Sequence, residues 1–136
     1  MNRVFIDTDI ALDLLSQRKP HYLPAAQLFT RADQGELSIC VSSLSFSNLH
    51  YLLSRMYSQS QSRRILSTFK ILVSVLSVDD KIIDLSLNSP FKDFEDAIQY
   101  YTAVENQVGI LLTRNLKDYK AAQITVMTAE DYLLSA

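Results

Sequence analysis

Aspartates stand at three separated places where the chain changes from one kind of local pattern to another. Asp7 and Asp9 follow the apolar run Val4-Phe5-Ile6, Asp93 and Asp96 stand at the start of a helical pattern, and Asp118 follows Ile110-Leu111-Leu112 by way of Thr113, Arg114 and Asn115. If those segments meet, their carboxylates repel one another, and such a cluster persists only where cations neutralise it. Oxygen donors without thiolates select Mg2+ or Mn2+ over zinc. Each aspartate also has an ordinary alternative. Asp7, between strand and helix, has the position of a helix N-cap. Asp93 and Asp96 fall where the positive end of a helix favours acids. Their three-residue spacing puts both on one helix face, and Asp96 borders the apolar Ala97 and Ile98, where an unpartnered carboxylate is costly.

The elements that must position these residues alternate. Val4-Phe5-Ile6 reads as a strand, and Ile10, Leu12, Leu14 and Leu15 begin a helical pattern after the acidic turn. Ala25, Ala26, Leu28, Phe29 and Ala32 give a second helix, with Gly35 as its C-terminal stop. Residues 37–41 form a buried strand, and Ser42 or Ser43 caps a helix carrying Leu49, Leu52, Leu53 and Met56. A helix over 59–70, a third strand over 75–78 and a short helix over 81–87 follow. A helix over 93–107, strands at 110–112 and 124–127, and a terminal helix capped by Thr128 complete the chain. Strands separated by helices predict an α/β domain with a parallel sheet. In such sheets ligands bind beyond the carboxyl ends of the strands. The loops carrying Asp7 and Asp118 therefore open on one edge if their strands are neighbours.

The 136 residues suit one hydrophobic core, so 1–136 reads as a single domain. With 13 basic and 15 acidic residues the net charge is −2, and no global positive field draws in nucleic acid, so any RNA contact is local. The two glycines exclude a glycine-rich phosphate loop. The one cysteine, Cys40, sits in an apolar run and reads as a core thiol, which excludes an internal disulfide. The apolar stretch before Asp7 is too short for a signal-peptide core, and no run approaches the ~20 residues of a membrane span, so a cytoplasmic setting without a membrane is expected. His21 and His50 match no metal-ligand spacing. The tyrosines read as packing and rim residues rather than as a base-stacking platform.

Three stretches together resemble the PIN-domain nucleases. Val4-Phe5-Ile6-Asp7-Thr8-Asp9-Ile10 resembles their opening strand, Asp93-Phe94-Glu95-Asp96-Ala97-Ile98-Gln99 their third acidic motif, and Leu111-Leu112-Thr113-Arg114-Asn115-Leu116-Lys117-Asp118-Tyr119 their fourth. The likeness extends from Arg3 to Leu134, with motif order and spacing in agreement. It implies a three-layer α/β/α domain with a central parallel sheet of four to five strands, binding one or two Mg2+ or Mn2+ ions and hydrolysing RNA phosphodiesters. Many relatives are VapC-like toxins held inactive by a small antitoxin protein and often homodimeric. Carried over by position, Asp7, Asp96 and Asp118 are the catalytic metal-site acids, joined by Asp93 and by Asn115, which falls where relatives place Asp or Asn. Thr113 supports the same loop. The family's second acid, usually glutamate, falls at Asn48, which offers a carbonyl oxygen but no charge. Asp93 and Asp9 are the residues placed to compensate, and one branch of the family carries asparagine here.

In this chemistry one ion activates a water while a second stabilises the leaving oxygen, the two being ~3.5–4 Å apart. Arg114, Lys117 and Lys120 stand near the fourth motif as candidates to neutralise RNA phosphates, with Arg63 and Arg64 weaker ones. Two other readings compete. Asp7-Thr8-Asp9 has the Asp-x-Asp form of an aspartyl-phosphate phosphatase, but the expected Asp-x-Asp-Gly-Thr continuation and the lysine are missing. Alternatively, Asn48 has weakened the metal site and the domain is an RNA-binding or protein-docking module.

Overall fold

The computed structural model describes residues 2–135. Five strands, β1 (Asn2–Ile6), β2 (Leu37–Ser42), β3 (Ser74–Leu76), β4 (Ile110–Leu112) and β5 (Thr125–Met127), form one sheet in the order β3-β2-β1-β4-β5. Every pairing is parallel. The helices are α1 (Thr8–Leu15), α2 (Tyr22–Asp33), α3 (Ser43–Leu53), α4 (Gln59–Leu72), α5 (Asp80–Leu87), α6 (Phe94–Glu105) and α7 (Ala129–Ser135).

Side-chain alternation along the strands divides the core into two layers. Val4, Ile6, Ile39, Val41 and Leu112 face a cluster that includes Ile10, Leu28, Leu49 and Phe69 from α1 to α4, and Tyr132 and Leu133 from α7. Phe5, Cys40 and Leu111 face the other way, onto Tyr100 and Ala103 of α6 and onto Tyr119. The result is the expected three-layer α/β/α arrangement on a parallel sheet. Cys40 is a buried free thiol in the second layer, and burial pushes its pKa up.

The strand order runs outward in both directions from β1. Chain connections leave β1 toward β2 on one side, and β4 arrives on the other, so the sheet has its topological switch point between β1 and β4. A crevice opens beyond the strand ends at such a point. The backbone closes its floor: Asp7 N donates to Leu112 O at 2.9 Å, and Thr113 N to Met127 O at 2.9 Å.

Several boundaries differ from the sequence expectation. The third strand is Ser74–Leu76 rather than 75–78, because it pairs with β2 only as far as Ser42, and Val78 N then takes the Ser43 hydroxyl at 3.1 Å. Helix α3 stops at Leu53, capped by Ser54, so Met56 lies beyond it and is exposed. Gly35 stands one residue past the α2 cap at φ 80°, the left-handed conformation that glycine adopts without strain. A 3-10 turn at Leu116–Tyr119 had no counterpart in the hydrophobic periodicity.

Candidate functional site

Asp7 ends β1 and is buried. Its Oδ1 accepts from Thr8 N at 2.8 Å, which is the N-cap of α1. Its Oδ2 accepts from the Thr113 hydroxyl at 3.0 Å and the Tyr119 hydroxyl at 3.0 Å. The same Tyr119 hydroxyl lies 3.4 Å from Asp96 Oδ1, so one phenol spans carboxylates from the first and third acidic segments. Asp9, in the first turn of α1, points its Oδ2 at the loop after β4. There it accepts from Arg114 N at 3.0 Å, from the Thr113 hydroxyl at 3.3 Å and from Asn115 Nδ2 at 3.4 Å. Its other oxygen, Oδ1, is buried and makes no hydrogen bond among the described residues.

Crowding and desolvation dominate the electrostatics. Burial and then the neighbouring Asp9 push Asp7 up to about 7, against the opposing effect of its three hydrogen bonds. Asp96 is also pushed up to about 7, by burial first and then by Asp7, Asp93, Asp118 and Glu95. Burial raises Asp9 despite the favourable Arg114 contacts. Tyr119 is driven far above its ordinary value by burial and by the adjacent carboxylates, so its hydroxyl keeps its proton and remains a donor. Among the described residues, no three acid, histidine or cysteine side chains stand close enough together to chelate an ion as they are. The acids meet pairwise, with hydroxyls between them.

The other expected residues divide. Asp118 is exposed on the 3-10 turn, close enough for its charge to raise Asp96. Asp93 caps α6, its Oδ1 accepting from Asp96 N at 3.0 Å, and its charge also reaches Asp96. Asn48 does not reach the carboxylate cluster directly; its Nδ2 donates to Glu95 Oε1 at 2.8 Å. The Arg114 guanidinium, expected at RNA, is instead held by Asp13, with Nε to Oδ2 at 2.7 Å and Nη2 to Oδ1 at 3.2 Å. The Asp13 side chain is 1% exposed, so Arg114 neutralises a buried charge rather than standing free. Lys117 is exposed and makes no hydrogen bond or ion pair among the described residues.

Four participants escaped the sequence reading. Tyr119, Glu95 and Asp13 are described above, and the fourth is Gln99. It is fully buried, and its amide donates to Thr8 Oγ1 at 3.1 Å and Ser45 Oγ at 3.0 Å. Thr8 and Ser45 are themselves 3.0 Å apart. This knot joins the residue after Asp7, the residue one turn before Asn48 and the residue one turn after Asp96. A polar residue inside the apolar stripe of α6 was the available signal.

A parallel α/β/α sandwich with aspartates gathered in its switch-point crevice defines a class of acid-centred α/β domains. Within that class, the chain belongs to the PIN domain family, whose sequence model matches residues 3–117. It is 25% identical over 138 residues to Ribonuclease VapC1 of Aquifex aeolicus, covering 96% of this chain and 92% of that protein. Its fold is similar to Mycobacterium tuberculosis VapC20, described as a Sarcin-Ricin loop cleaving toxin, with TM-score 0.71, 14% identity, and 90% and 96% of the two chains covered. It is similar also to a toxin-antitoxin complex from Klebsiella pneumoniae, with TM-score 0.68, 24% identity, and 93% and 97% covered.

Proposed function

We propose that this chain is a divalent-metal-dependent endoribonuclease acting as the toxin of a toxin-antitoxin pair. The observation that carries the reading is the crowding of Asp7, Asp9 and Asp96 in the switch-point crevice, where burial and mutual repulsion leave ionised carboxylates uncompensated. A cation is the group such a site lacks. The donor set suits Mg2+ or Mn2+: it offers carboxylate and amide oxygens only, and Asp9 Oδ1 is a buried acceptor without a partner. The residues that would hold the ions are Asp7, Asp96 and Asp118, with Asp93, Asn115 and Asp9 beside them and Asn48 joining through Glu95. When bound, the ions supply Lewis acidity toward a phosphodiester and its attacking water.

The chain's own residues prepare that site. Thr113 fixes the Asp7 carboxylate by a hydrogen bond, and Asp93 fixes the first turn of α6 and with it Asp96. Gln99 sets the angle between the three site-bearing segments. Lys117 and Lys120, both exposed, are the local cations available to RNA phosphates. The antitoxin reading is supported by the toxin-antitoxin complex among the structural relatives. The resemblance also implies a homodimer, which light scattering tests. Among the described residues no helix is long and apolar enough to cross a membrane.

The test is cleavage of a panel of structured RNAs with and without Mn2+ by wild type, Asp7→Asn and Asp96→Asn. Both variants should lose Mn2+-dependent cleavage. Both should also melt at a higher temperature than metal-free wild type at pH 8, because each removes an ionised carboxylate that the site penalises. Unchanged cleavage in both variants defeats the assignment. The uncharged Asn48, bonded to Glu95, favours one second reading, a catalytically weakened module for RNA or protein docking. No Mn2+ binding at millimolar concentration, with RNA bound all the same, would select it.

A further inference from the structure

One helical turn along α1 from Asp9, a cavity of about 270 Å³ opens between α1, α2, the loop after β4 and the start of α7. Ile10, Ala25 and Ala129, all buried, give it an apolar floor. Asp13, Arg114, His21 and Glu130 stand around it. Arg114 belongs to the cavity and to the acid site together: its backbone N–H binds Asp9 Oδ2 at 3.0 Å, and its guanidinium is clamped to Asp13 at 2.7 and 3.2 Å. The shared residue fixes the cavity one step away from the reacting centre. The bidentate clamp makes a rigid wall of it, with Nη1 free of hydrogen bonds among the described residues.

Size and polarity narrow the occupant. The volume lies below the ~300–1,000 Å³ of sites for drug-sized ligands, so it suits one planar ring system. The Glu130 carboxylate at the rim repels phosphate but accepts from N–H groups, while that of Asp13 is taken up by Arg114. His21 offers an imidazole face, and its side chain caps nothing on α2, so it is available for stacking. Glu130 is exposed in the first turn of α7, where a carboxylate can accept from an exocyclic amine.

We propose that this cavity is a nucleobase subsite, which takes a base turned out of single-stranded RNA beside the scissile bond and prefers an amino-bearing base over uracil. The proposal rests on the ribonuclease reading and deepens it. His21 stacks on the base, Glu130 accepts from its amino group, and the Arg114 wall holds its far edge. Adenine, cytosine and guanine present that amine. Uracil sets carbonyl oxygens on both sides of its single Watson–Crick N–H, and one of them would face the Glu130 carboxylate.

The experiment is Mn2+-dependent cleavage of an RNA pool randomised on both sides of the cut and read by sequencing, with wild type, Glu130→Gln and His21→Ala. Wild type should disfavour uracil at one position by roughly tenfold or more. Glu130→Gln, which adds a donor, should shrink that discrimination to about threefold or less, and His21→Ala should weaken selection at the same position. Mn2+ affinity should not change in either variant. Cleavage without base preference near the cut, or a preference that both variants retain, overturns the subsite. Cleavage of nothing overturns the ribonuclease reading instead. In that case binding of fluorescein-labelled A, C, G and U tetranucleotides in EDTA decides the cavity, with U expected weakest in wild type and all four equal if the proposal is wrong.

Discussion

The Tyr119 hydroxyl lies 3.0 Å from Asp7 Oδ2 and, as a phenol that keeps its proton, occupies the carboxylate face that a cation would seek. It is also 3.4 Å from Asp96 Oδ1, so removing it frees two acids at once. Hydrogen bonds to charged groups contribute about 1.5–3 kcal/mol. Tyr119→Phe should therefore lower the metal-free melting temperature at pH 8, while several-fold tighter Mn2+ binding appears by calorimetry. Weaker binding in the variant would mean that the hydroxyl organises the cation site rather than competing for it.

Asp7 and Asp96 share the direction of their shifts, and this fixes the sign of the pH response. Both are raised from the ordinary aspartate value of 3.8 to about 7 in the folded chain. Between those values the unfolded chain has lost protons that the folded chain keeps, so folding stability falls as pH rises from about 4 toward 7 and then levels. Binding a cation reverses the preference. The metal-free melting temperature should fall across that window, the fall should shrink with saturating Mn2+, and Mn2+ affinity should rise as pH climbs through 7. Titration in buffers of different ionisation enthalpy should register proton release on binding; its absence would refute the crowded-carboxylate account.

Arg114 faces a neighbour whose charge is fully buried, and breaking such a pair from one side costs on the order of 3–5 kcal/mol. Arg114→Ala should accordingly melt well below wild type. Adding Asp13→Leu should recover much of the loss, since no unpaired charge then remains inside. A melting temperature unchanged by Arg114→Ala would mean that the buried Asp13 charge does not depend on this arginine.

The residues that sequence patterning reached were those carried by order along the chain. Asp7, Asp96 and Thr113 sit next to strand ends or a helix start, and period-two and period-3.6 patterns reveal those edges without any tertiary information. The neighbouring positions of β1 and β4, on which the meeting of the first and fourth motifs depends, follow from the crossover order. What stayed hidden depends on side-chain direction. Tyr119 reaches Asp7 only because a 3-10 turn folds the fourth motif back. Arg114 is anchored by a contact that no pattern showed, because Asp13, an unremarked polar position in α1, is buried beneath it. Glu95 gains its meaning from a contact 47 positions away in the chain, which no local pattern encodes.

Among the described residues Gln99 is the one side chain that bonds both α1 and α3 from within α6. Gln99→Met keeps the volume and removes two donors. The Thr8 and Ser45 hydroxyls can still satisfy each other at 3.0 Å, so the stability cost should be modest, about 1–3 kcal/mol. The Mn2+ dissociation constant should rise by a larger factor than that cost alone explains, because the acids lose their fixed angle. Equal Mn2+ affinity in wild type and variant would reduce Gln99 to a packing residue.

Asn48 and Glu95 form a neutral-to-acid pair, Nδ2 to Oε1 at 2.8 Å, at the position where the family resemblance leads one to expect a glutamate on the α3 side. The carboxylate missing from α3 thus stands on α6, where burial and Asp93 already raise its pKa. If the charge matters and the helix supplying it does not, exchanging the pair should preserve cation binding. Glu95→Gln alone should weaken Mn2+ binding by on the order of tenfold. Asn48→Glu alone should set two carboxylates against each other, lowering the metal-free melting temperature while tightening Mn2+ binding, since a cation then has one more acid to neutralise. The double variant should return both quantities close to wild type, since one carboxylate again faces one amide across α3 and α6. A double variant that keeps the weakened Mn2+ binding of Glu95→Gln would mean that position 48 lies outside the site and that Glu95 acts on its own.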